Sequence, residues 1–171
     1  RLLETTRSYA LEKLRETAEL TATQQRQAEN CASVLGHAQR EWGYLPRQRW
    51  LERYAHNLED IRGALNWSFS ASGDTALAVH LTVASTALWQ ELSLLKEHEH
   101  YVSKALAALH AQATPSPQLE LALRLVQGNA WYHSQGGQPE TITAFVTARQ
   151  LAAQCHDFTA ELKALSGLMA V

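Results

Sequence analysis

The sequence predicts an all-α protein in which antiparallel helix pairs stack into an α-solenoid. The composition is rich in Ala, Leu, Gln and Glu, which favour helix, and it holds only 8 Gly and 4 Pro in 171 residues. Apolar residues recur at steps of three and four along most of the chain. No stretch of useful length alternates apolar and polar residues as a half-buried strand would. We therefore expect about eight helices joined by short turns, and no sheet.

Length and charge limit the classes of protein that the chain can belong to. With 171 residues, 46% of them hydrophobic, it is long enough for one domain with a sizeable core. A net charge of −2 is not typical of a nucleic-acid-binding segment, so we expect no direct nucleic-acid binding. Two distant cysteines, Cys31 and Cys155, predict reduced thiols rather than a disulfide framework. No signal peptide or membrane span is indicated, and we expect a cytoplasmic location without membrane contact.

Two helices are predicted before residue 43. The first covers residues 2–19, and its apolar side carries Leu3, Ala10 and Leu14. Thr21 and Gln24 fit a capping box, in which each side chain accepts a backbone N–H at the start of the second helix. The second helix runs to about Trp42, where residues 43–46 end it. Its predicted inner face comprises Ala28, Cys31, Leu35 and Ala38.

The longest apolar patterns lie between Trp50 and Leu95 and predict a third and a fourth helix on either side of a turn. In that turn Gly73 is expected to take the left-handed C-cap, and either Asp74 or one of the serines of residues 70–72 to cap the fourth helix. One stripe of the third helix comprises Leu51, Tyr54, Leu58, Ile61, Leu65 and Phe69. No charged residue occurs over residues 75–90, so the fourth helix is predicted to be buried on two faces. Those faces carry Leu77, Leu81, Ala84, Leu88 and Leu92, and Val79, Val83 and Ala87.

Four further helices complete the predicted fold. The fifth runs from about Leu95 to His110, and residues 113–117 form a linker. Ser116 caps the sixth helix with Pro117 at its first position, and residues 136–137 end it. Pro139 begins the seventh helix and Asp157 caps the eighth. The predicted inward residues are, helix by helix, Leu95, Val102, Leu106 and Leu109; Leu119, Leu123, Val126 and Ala130; Ile142, Phe145, Val146 and Leu151; and Phe158, Leu162, Leu165 and Met169.

One segment, residues 125–151, resembles a tetratricopeptide repeat. The residues near the repeat's positions for small and bulky side chains are Gly128, Trp131, Gly136, Phe145 and Ala148, with one residue inserted around Gly136. The physical requirement is a small residue where two helices cross and an aromatic residue that fills the gap beside it. The predicted solenoid is therefore a tetratricopeptide-like superhelix.

Two motifs resemble a known protein family. Residues 59–70 read EDIRGALNWSFS, and Gly73-Asp74, Leu88-Trp89, residues 92–94 and Glu97 follow them. This pattern is similar to the C-terminal helical region of bacterial winged-helix transcriptional regulators that carry a signal-transduction (NB-ARC/STAND-type) ATPase domain. Residues 2–14, LLETTRSYALEKL, resemble the helix that leaves the ATPase module in that family. The chain departs from the family's Asp, Asn and Asp at Glu59, Asp60 and Asn66.

We expect three parts, cut from a longer protein, and the resemblance covers residues 1 to about 110 of them. Residues 1–20 are predicted to be the helix that leaves a preceding ATPase and winged-helix module. Residues 21–112 are the first part of a helical-repeat domain, and residues 113–171 are tetratricopeptide-like repeats truncated at the C-terminus. The start at Arg1 without Met, and the stop at Val171 inside an apolar helical pattern, lead us to expect that both ends are internal.

No constellation of side chains predicts catalysis. His98 and His100 lie two apart on a helix, whereas the two-histidine zinc motif needs a spacing of four, so we expect a solvated face there. His80, on the uncharged helix, is expected to be a hydrogen-bonded core residue. There is no phosphate-binding Gly-Lys-Ser/Thr loop, and neither cysteine has a patterned histidine. We expect a non-enzymatic segment without catalytic residues, metal or cofactor; the resemblance leaves ATP to a preceding domain.

A ligand or partner groove is predicted beside Trp131, Tyr132 and His133, near the end of the sixth helix. Aromatic and polar groups together suit a small-molecule or peptide site better than an aliphatic stripe does. The alternative is that Trp131 only fills the gap near Gly128.

The other tryptophans, Trp42, Trp50, Trp67 and Trp89, are expected mainly to pack between helices. Trp50 and Tyr44, next to a turn, are the expected exceptions. Arg62 and Glu59 are predicted to form a structural ion pair.

The resemblance implies a sensory or regulatory helical-repeat module of a bacterial transcriptional regulator. Such a module would bind a small-molecule or protein signal and change its packing against the ATPase and winged-helix domains, its intramolecular partners. The alternative is a stand-alone tetratricopeptide-like adaptor for protein interactions. Sequence preceding Arg1 separates the two hypotheses, because a nucleotide-binding loop there belongs to the first only.

Overall fold

The computed structural model describes residues 4–171, and over that range the chain forms ten α-helices, one turn of 3-10 helix and no strand. The helices are α1 Glu4–Glu16, α2 Leu20–Glu41, α3 Arg47–Tyr54, α4 Leu58–Ser68, α5 Thr75–Ala84, α6 Thr86–Glu91, α7 Leu95–His110, α8 Pro117–Gln135, α9 Pro139–Gln154 and α10 Phe158–Ala170. The all-α prediction is confirmed. The predicted inward position of Leu3 lies outside the described residues.

The expected number of about eight helices was wrong, because two predicted helices are each divided. The predicted third helix becomes α3, a 3-10 turn over Ala55–Asn57, and α4. At that turn the Asn57 side-chain amide donates to the carbonyl oxygen of Tyr54 at 3.2 Å. An asparagine that bonds nearby backbone in this way competes with the regular helical ladder.

The predicted fourth helix is divided at Ser85 into α5 and α6. Three hydroxyls around the division donate to backbone carbonyls of the preceding turn: Thr82 to Ala78, Ser85 to Thr82 and Thr86 to Val83. Such back-bonding bends helices. The Ser85 hydroxyl also accepts the indole N–H of Trp89 at 2.9 Å, so the division is fixed by core contacts.

Helix caps were predicted well where an Asp or Ser precedes the helix. Asp74 accepts from the N–H groups of Ala76 and Leu77, Ser116 from Leu119, and Asp157 from Ala160. The predicted capping box of Thr21 and Gln24 was wrong, because α2 begins at Leu20 and its N-cap, Glu19, makes no side-chain cap bond. Thr21 thus already lies inside the helix.

The C-cap role predicted for Gly73 was also wrong. Within the described residues only Gly43 and Gly136 among the glycines have positive φ, 86° and 77°. A Cβ at Gly73 would instead collide with the carbonyl oxygens of Trp67 and Ser68. Glycine is needed here because the chain passes close to the end of α4.

Helices that follow one another in the chain pack together, from α2, α4 and α5 through α7 to α8, α9 and α10. The predicted inner face of α2 is confirmed, since all four of its residues are buried. The two-sided burial of the predicted fourth helix is also confirmed. Leu81 belongs to a core with α2, α3 and α4, whereas Val79 belongs to a second core with α7 and α8.

Helices α9 and α10 place small residues inside and most of their large residues outside. Their shared core with α8 contains Leu121, Ala148, Ala152, Ala160 and Ala164. Six of the predicted inward residues are exposed, in contradiction to the prediction: Ile142, Val146, Phe158, Leu162, Leu165 and Met169. Both stripes of α10 have helical spacing. The packing selects the alanine stripe because small side chains let two helix backbones approach closely.

Candidate functional site

The three residues of the predicted groove lie on the last turns of α8, but they do not face one surface. Trp131 is partly buried, and its indole N–H donates to a carboxylate oxygen of Glu99 on α7 at 2.6 Å. Tyr132 and His133 are exposed on the side towards α10, with their ring centroids 5.3 Å apart. The structure therefore brings Tyr132 and His133 together in a groove and places Trp131 against α7.

The α8–α10 groove, as we call it, crosses α9 and has a volume of about 390 Å³. Its walls come from α8 and α10, and its floor is the ring of Phe145 on α9. The lining residues are Asn129, Tyr132, His133, Phe145, Leu162, Lys163, Ser166, Gly167 and Ala170.

Two glycines make room for the Phe145 ring between α8 and α10. A Cβ on Gly128 would lie 2.7 Å from the Phe145 ring, and a Cβ on Gly167 would collide with the same ring from α10. Phe145 is 1% exposed, so it fills the crossing of three helices. The alternative, that Trp131 fills the gap near Gly128, is wrong: the side chain that occupies this gap is Phe145.

The groove combines apolar side chains, such as Leu162 and Ala170, with polar ones. Its polar groups are the Asn129 amide, the Tyr132 and Ser166 hydroxyls, the His133 imidazole and the Lys163 ammonium. The Ser166 hydroxyl already donates to the carbonyl oxygen of Leu162 at 2.9 Å, which leaves its oxygen able to accept. Such a lining suits an extended peptide or an amphipathic small molecule.

The α10 side of the groove was missed by the sequence reasoning. The core position expected of Leu162 is wrong, and the sequence pattern predicts no role for Lys163, Ser166 or Gly167. A glycine in the middle of a helix was the available signal, because it costs about 1 kcal/mol relative to Ala and so needs a packing reason.

Residues of the family-like motif meet in a second place, between α4, α6 and α7. Arg62 donates to both carboxylate oxygens of Glu97, at 2.7 and 2.5 Å, and also pairs with Glu59. Its guanidinium carbon lies 5.8 Å from the ring centre of Trp89. The predicted Arg62–Glu59 pair is confirmed, and the Glu97 partner was not predicted. Hydrogen bonds to Glu97 are the largest cause of the raised pKa of Arg62.

His98 lies in the core beside this cluster, contrary to the expected solvated position. It is fully buried and stacks on Trp89, with ring centroids 6.3 Å apart. Its Nε2 lies 3.4 Å from the Thr82 carbonyl oxygen, while its Nδ1 has no partner among the described residues. Burial lowers the pKa of His98 to about 4. A neutral imidazole follows at neutral pH.

The other candidate groups are separate from one another. His100 is exposed as expected, whereas the core position expected of His80 is wrong, because its side of α5 is left uncovered and the residue is exposed. Burial, followed by the charge of Asp60, raises the pKa of the Cys31 thiol to about 11. No group of three or more His, Cys, Asp or Glu side chains arranged to hold a metal ion occurs in the part of the chain that the structure describes.

Trp67 and Trp89 are buried between helices, as expected. The expectation that Trp50 would be an exception was wrong, since it is 2% exposed and donates to the Ala38 carbonyl oxygen. Tyr44 is 88% exposed, as expected, whereas the packing expected of Trp42 is wrong: it is 48% exposed, because it lies at the C-cap of α2, outside the packed helices.

No helix within residues 4–171 combines the length and the apolar character needed to span a membrane. Comparisons with protein-family models, with curated proteins and with solved structures found no match.

Proposed function

We propose that this chain is a non-enzymatic sensory or regulatory helical-repeat module of a bacterial transcriptional regulator, and that its signal binds in the α8–α10 groove. In this proposal the preceding signal-transduction ATPase and winged-helix domains are its intramolecular partners, and they handle ATP and DNA. The module needs no cofactor of its own and acts in the cytoplasm.

The observation that carries the proposal is the contact network of the family-like motif. Arg62 from the EDIRGALNWSFS segment reaches Glu97, 35 residues later in the chain, and lies over Trp89 from the Leu-Trp pair. Three residues from separate parts of the family-like pattern therefore meet in one place, and this supports treating the pattern as one structural unit.

The arrangement of α8, α9 and α10 supports a tetratricopeptide-like repeat. Gly128 on α8 lies against Phe145 on α9, which meets the requirement for a small residue and an aromatic residue at a helix crossing. In stacked helix pairs, alternate helices line one concave surface, and here α8 and α10 line the groove. A signal held between α8 and α10 would change their spacing only as far as its affinity differs between the two states.

The alternative, a stand-alone tetratricopeptide-like adaptor, has one observation in its favour. The outer stripe of α10 exposes 80% of Phe158, 66% of Leu162 and 88% of Met169. Large exposed apolar patches often mark protein–protein contacts.

The sequence that precedes Arg1 in the gene tests the two against each other. A nucleotide-binding Gly-Lys-Ser/Thr loop and a winged-helix segment there support the regulator. A gene without a nucleotide-binding loop before Arg1 contradicts the regulator and leaves the adaptor.

A groove variant tests the signal site in the encoded protein. Ser166→Phe fills the groove and is expected to abolish the signal-dependent change in a reporter gene while basal DNA binding stays unchanged. Ser103→Phe on the exposed side of α7 is the matched control. Equal responses from the two variants would contradict a signal site in the groove.

A further inference from the structure

A second cavity lies at the opposite end of the helical array, where the turn between α2 and α3 meets the end of α6. We call it the Trp42 pocket. Its volume is about 240 Å³, and it is lined by Trp42, Gly43, Leu45, Arg47, Trp50 and Glu91. None of these residues lines the α8–α10 groove.

The walls of the Trp42 pocket are held in place by hydrogen bonds. Trp50 forms the buried rear wall, and its indole N–H donates to the Ala38 carbonyl oxygen at 2.9 Å. Trp42 forms an outer wall and donates its indole N–H to Glu91 at 3.3 Å. Gly43, with φ of 86°, would have no atom within 4 Å of an added Cβ, so the space beside it is open. Two fixed indoles and a leucine make a preformed apolar site.

The polar groups at the mouth decide which charge a ligand can carry. The Glu91 carboxylate is already engaged, because Trp42 donates to one oxygen and the Nε of Arg47 donates to the other. Arg47 also donates through Nη2 to the Glu91 carbonyl oxygen at 2.9 Å. Among the described residues its Nη1 group makes no hydrogen bond, and its side chain is 67% exposed. The Arg47 guanidinium can therefore still donate a hydrogen bond to a ligand, whereas the Glu91 carboxylate has little remaining capacity to accept one.

Helix α3 adds to the same polarity. It begins at Arg47, it has no acidic residue in its first turn, and its N-cap, Pro46, offers no side-chain acceptor. The first N–H groups of a helix favour negative charge nearby. A carboxylate in the pocket could accept from the Nη1 group of Arg47, whereas an ammonium would find both Glu91 carboxylate oxygens already accepting.

We infer that the Trp42 pocket binds a small aromatic carboxylate, with its ring between Trp42 and Trp50 and its carboxylate on Arg47. The cavity is smaller than the sites of drug-sized ligands, which span roughly 300–1,000 Å³, so the ligand has one or two rings. Aromatic walls favour a planar ring through edge-to-face or offset contacts.

The experiment uses this chain and four probes of matched shape. The acids are phenylacetate and indole-3-acetate, the amine is phenethylamine and the neutral amide is phenylacetamide. Binding is followed by the NMR shift of the Trp42 indole N–H, assigned with a Trp42→Phe variant. We expect the acids to shift that signal and to bind about tenfold more tightly than the amine.

Two arginine variants on α3 test whether the ligand's carboxylate binds Arg47 itself or only responds to the positive charge of the helix as a whole. Arg47→Gln is expected to weaken phenylacetate about tenfold and to leave phenylacetamide unchanged. Arg49→Gln, at an exposed position of α3, is the matched control and should change neither. Both side chains are exposed, so neither variant should unfold the protein.

Three results would overturn the inference: no shift of the Trp42 signal by either acid at about 10 mM, equal affinity for acid and amine, or equal effects of the two arginine variants. The inference is independent of the proposed regulatory function. If the acids fail to bind, the proposed signal site in the α8–α10 groove is not affected. If no nucleotide-binding loop is encoded upstream, the proposed ligand of the Trp42 pocket is not affected.

Discussion

The helices before and after residues 111–116 use side-chain size in opposite ways. In the first region, α2 to α7, the cores contain Trp50, Trp89, Ile61 and several leucines. Polar bonds between distant parts of the chain accompany them, such as Trp50 to Ala38 and Arg62 to Glu97. In the second region, α8 to α10, the shared core is mainly alanine, with Phe145 between two glycines.

The difference shows how one helical architecture is stabilised in two ways. The first region gains from the area of large apolar side chains removed from water, at about 25 cal/mol per Å². The second region gains from close backbone approach, which only small residues allow, and it leaves large side chains on the surface. We therefore expect the two regions to respond differently to the same kind of substitution.

A charge in each region should give the largest contrast. Leu88 in the first region is 1% exposed, whereas Leu162 in the second is 66% exposed. Leu88→Asp is expected to lower the free energy of unfolding by about 4 kcal/mol or more, because it buries an unpaired carboxylate. Leu162→Asp should change it by less than about 0.5 kcal/mol. Urea denaturation measures both, and equal losses would refute the assignment of the two helix faces.

Acid should weaken the first region through His98. Its pKa is lowered from 6.5 to about 4, so the unfolded chain takes up a proton before the folded chain does. Stability from the neutral imidazole is complete above pH 6.5 and is lost as pH falls towards about 4, by roughly 3 kcal/mol in all.

The comparison that checks this uses two histidine variants. The His98→Leu protein should lose that part of the pH dependence when unfolding is measured between about pH 7 and pH 4. His133→Leu, at an exposed position of the second region, is the matched control and should keep it. If the unfolding free energy of the His98→Leu protein fell with pH as steeply as that of the wild type, other groups would be responsible for the acid sensitivity.

Replacing glycine by alanine should change the stability of the protein in opposite directions in the two regions. Gly128→Ala places a Cβ 2.7 Å from the Phe145 ring and is expected to destabilise by about 1–3 kcal/mol through overpacking. Gly63→Ala on α4 meets nothing within 4 Å and should stabilise by up to about 1 kcal/mol, because alanine favours helix. Thermal melts of both variants test this. Adding Phe145→Leu to Gly128→Ala should recover part of the loss if the ring is the obstacle.

Ion pairs should give the smallest contrast. Arg62 and Glu97 are 28% and 31% exposed and make two hydrogen bonds, so a double-mutant cycle should give about 1 kcal/mol of coupling. Arg149 and Glu161 in the second region are 3.9 Å apart, with Arg149 56% exposed, and should give almost none. The Arg62 coupling should fall in about 1 M salt. Equal coupling energies for the two pairs would contradict the expected difference between the regions.

Only part of the candidate groove could be predicted from the sequence. Tyr132 and His133 were found because aromatic and polar groups occur together at the end of one helix. The residues opposite them, Lys163 and Ser166, lie about thirty positions later, and local patterns do not reveal which helix faces which. His98 was misplaced for a related reason, since its burial depends on Trp89 and on the divided helix at Ser85.

The sequence by itself determined the helical class, the caps at Asp74, Ser116 and Asp157, and the inner face of α2. These features depend on short-range chemistry: side-chain acceptors for free N–H groups, and apolar spacing on a single helix. The tertiary structure alone decided which stripe of α10 is buried. Alanines and large apolar residues both recur there at helical spacing, and the approach of α9 selects the alanines because only they allow the backbones to come close.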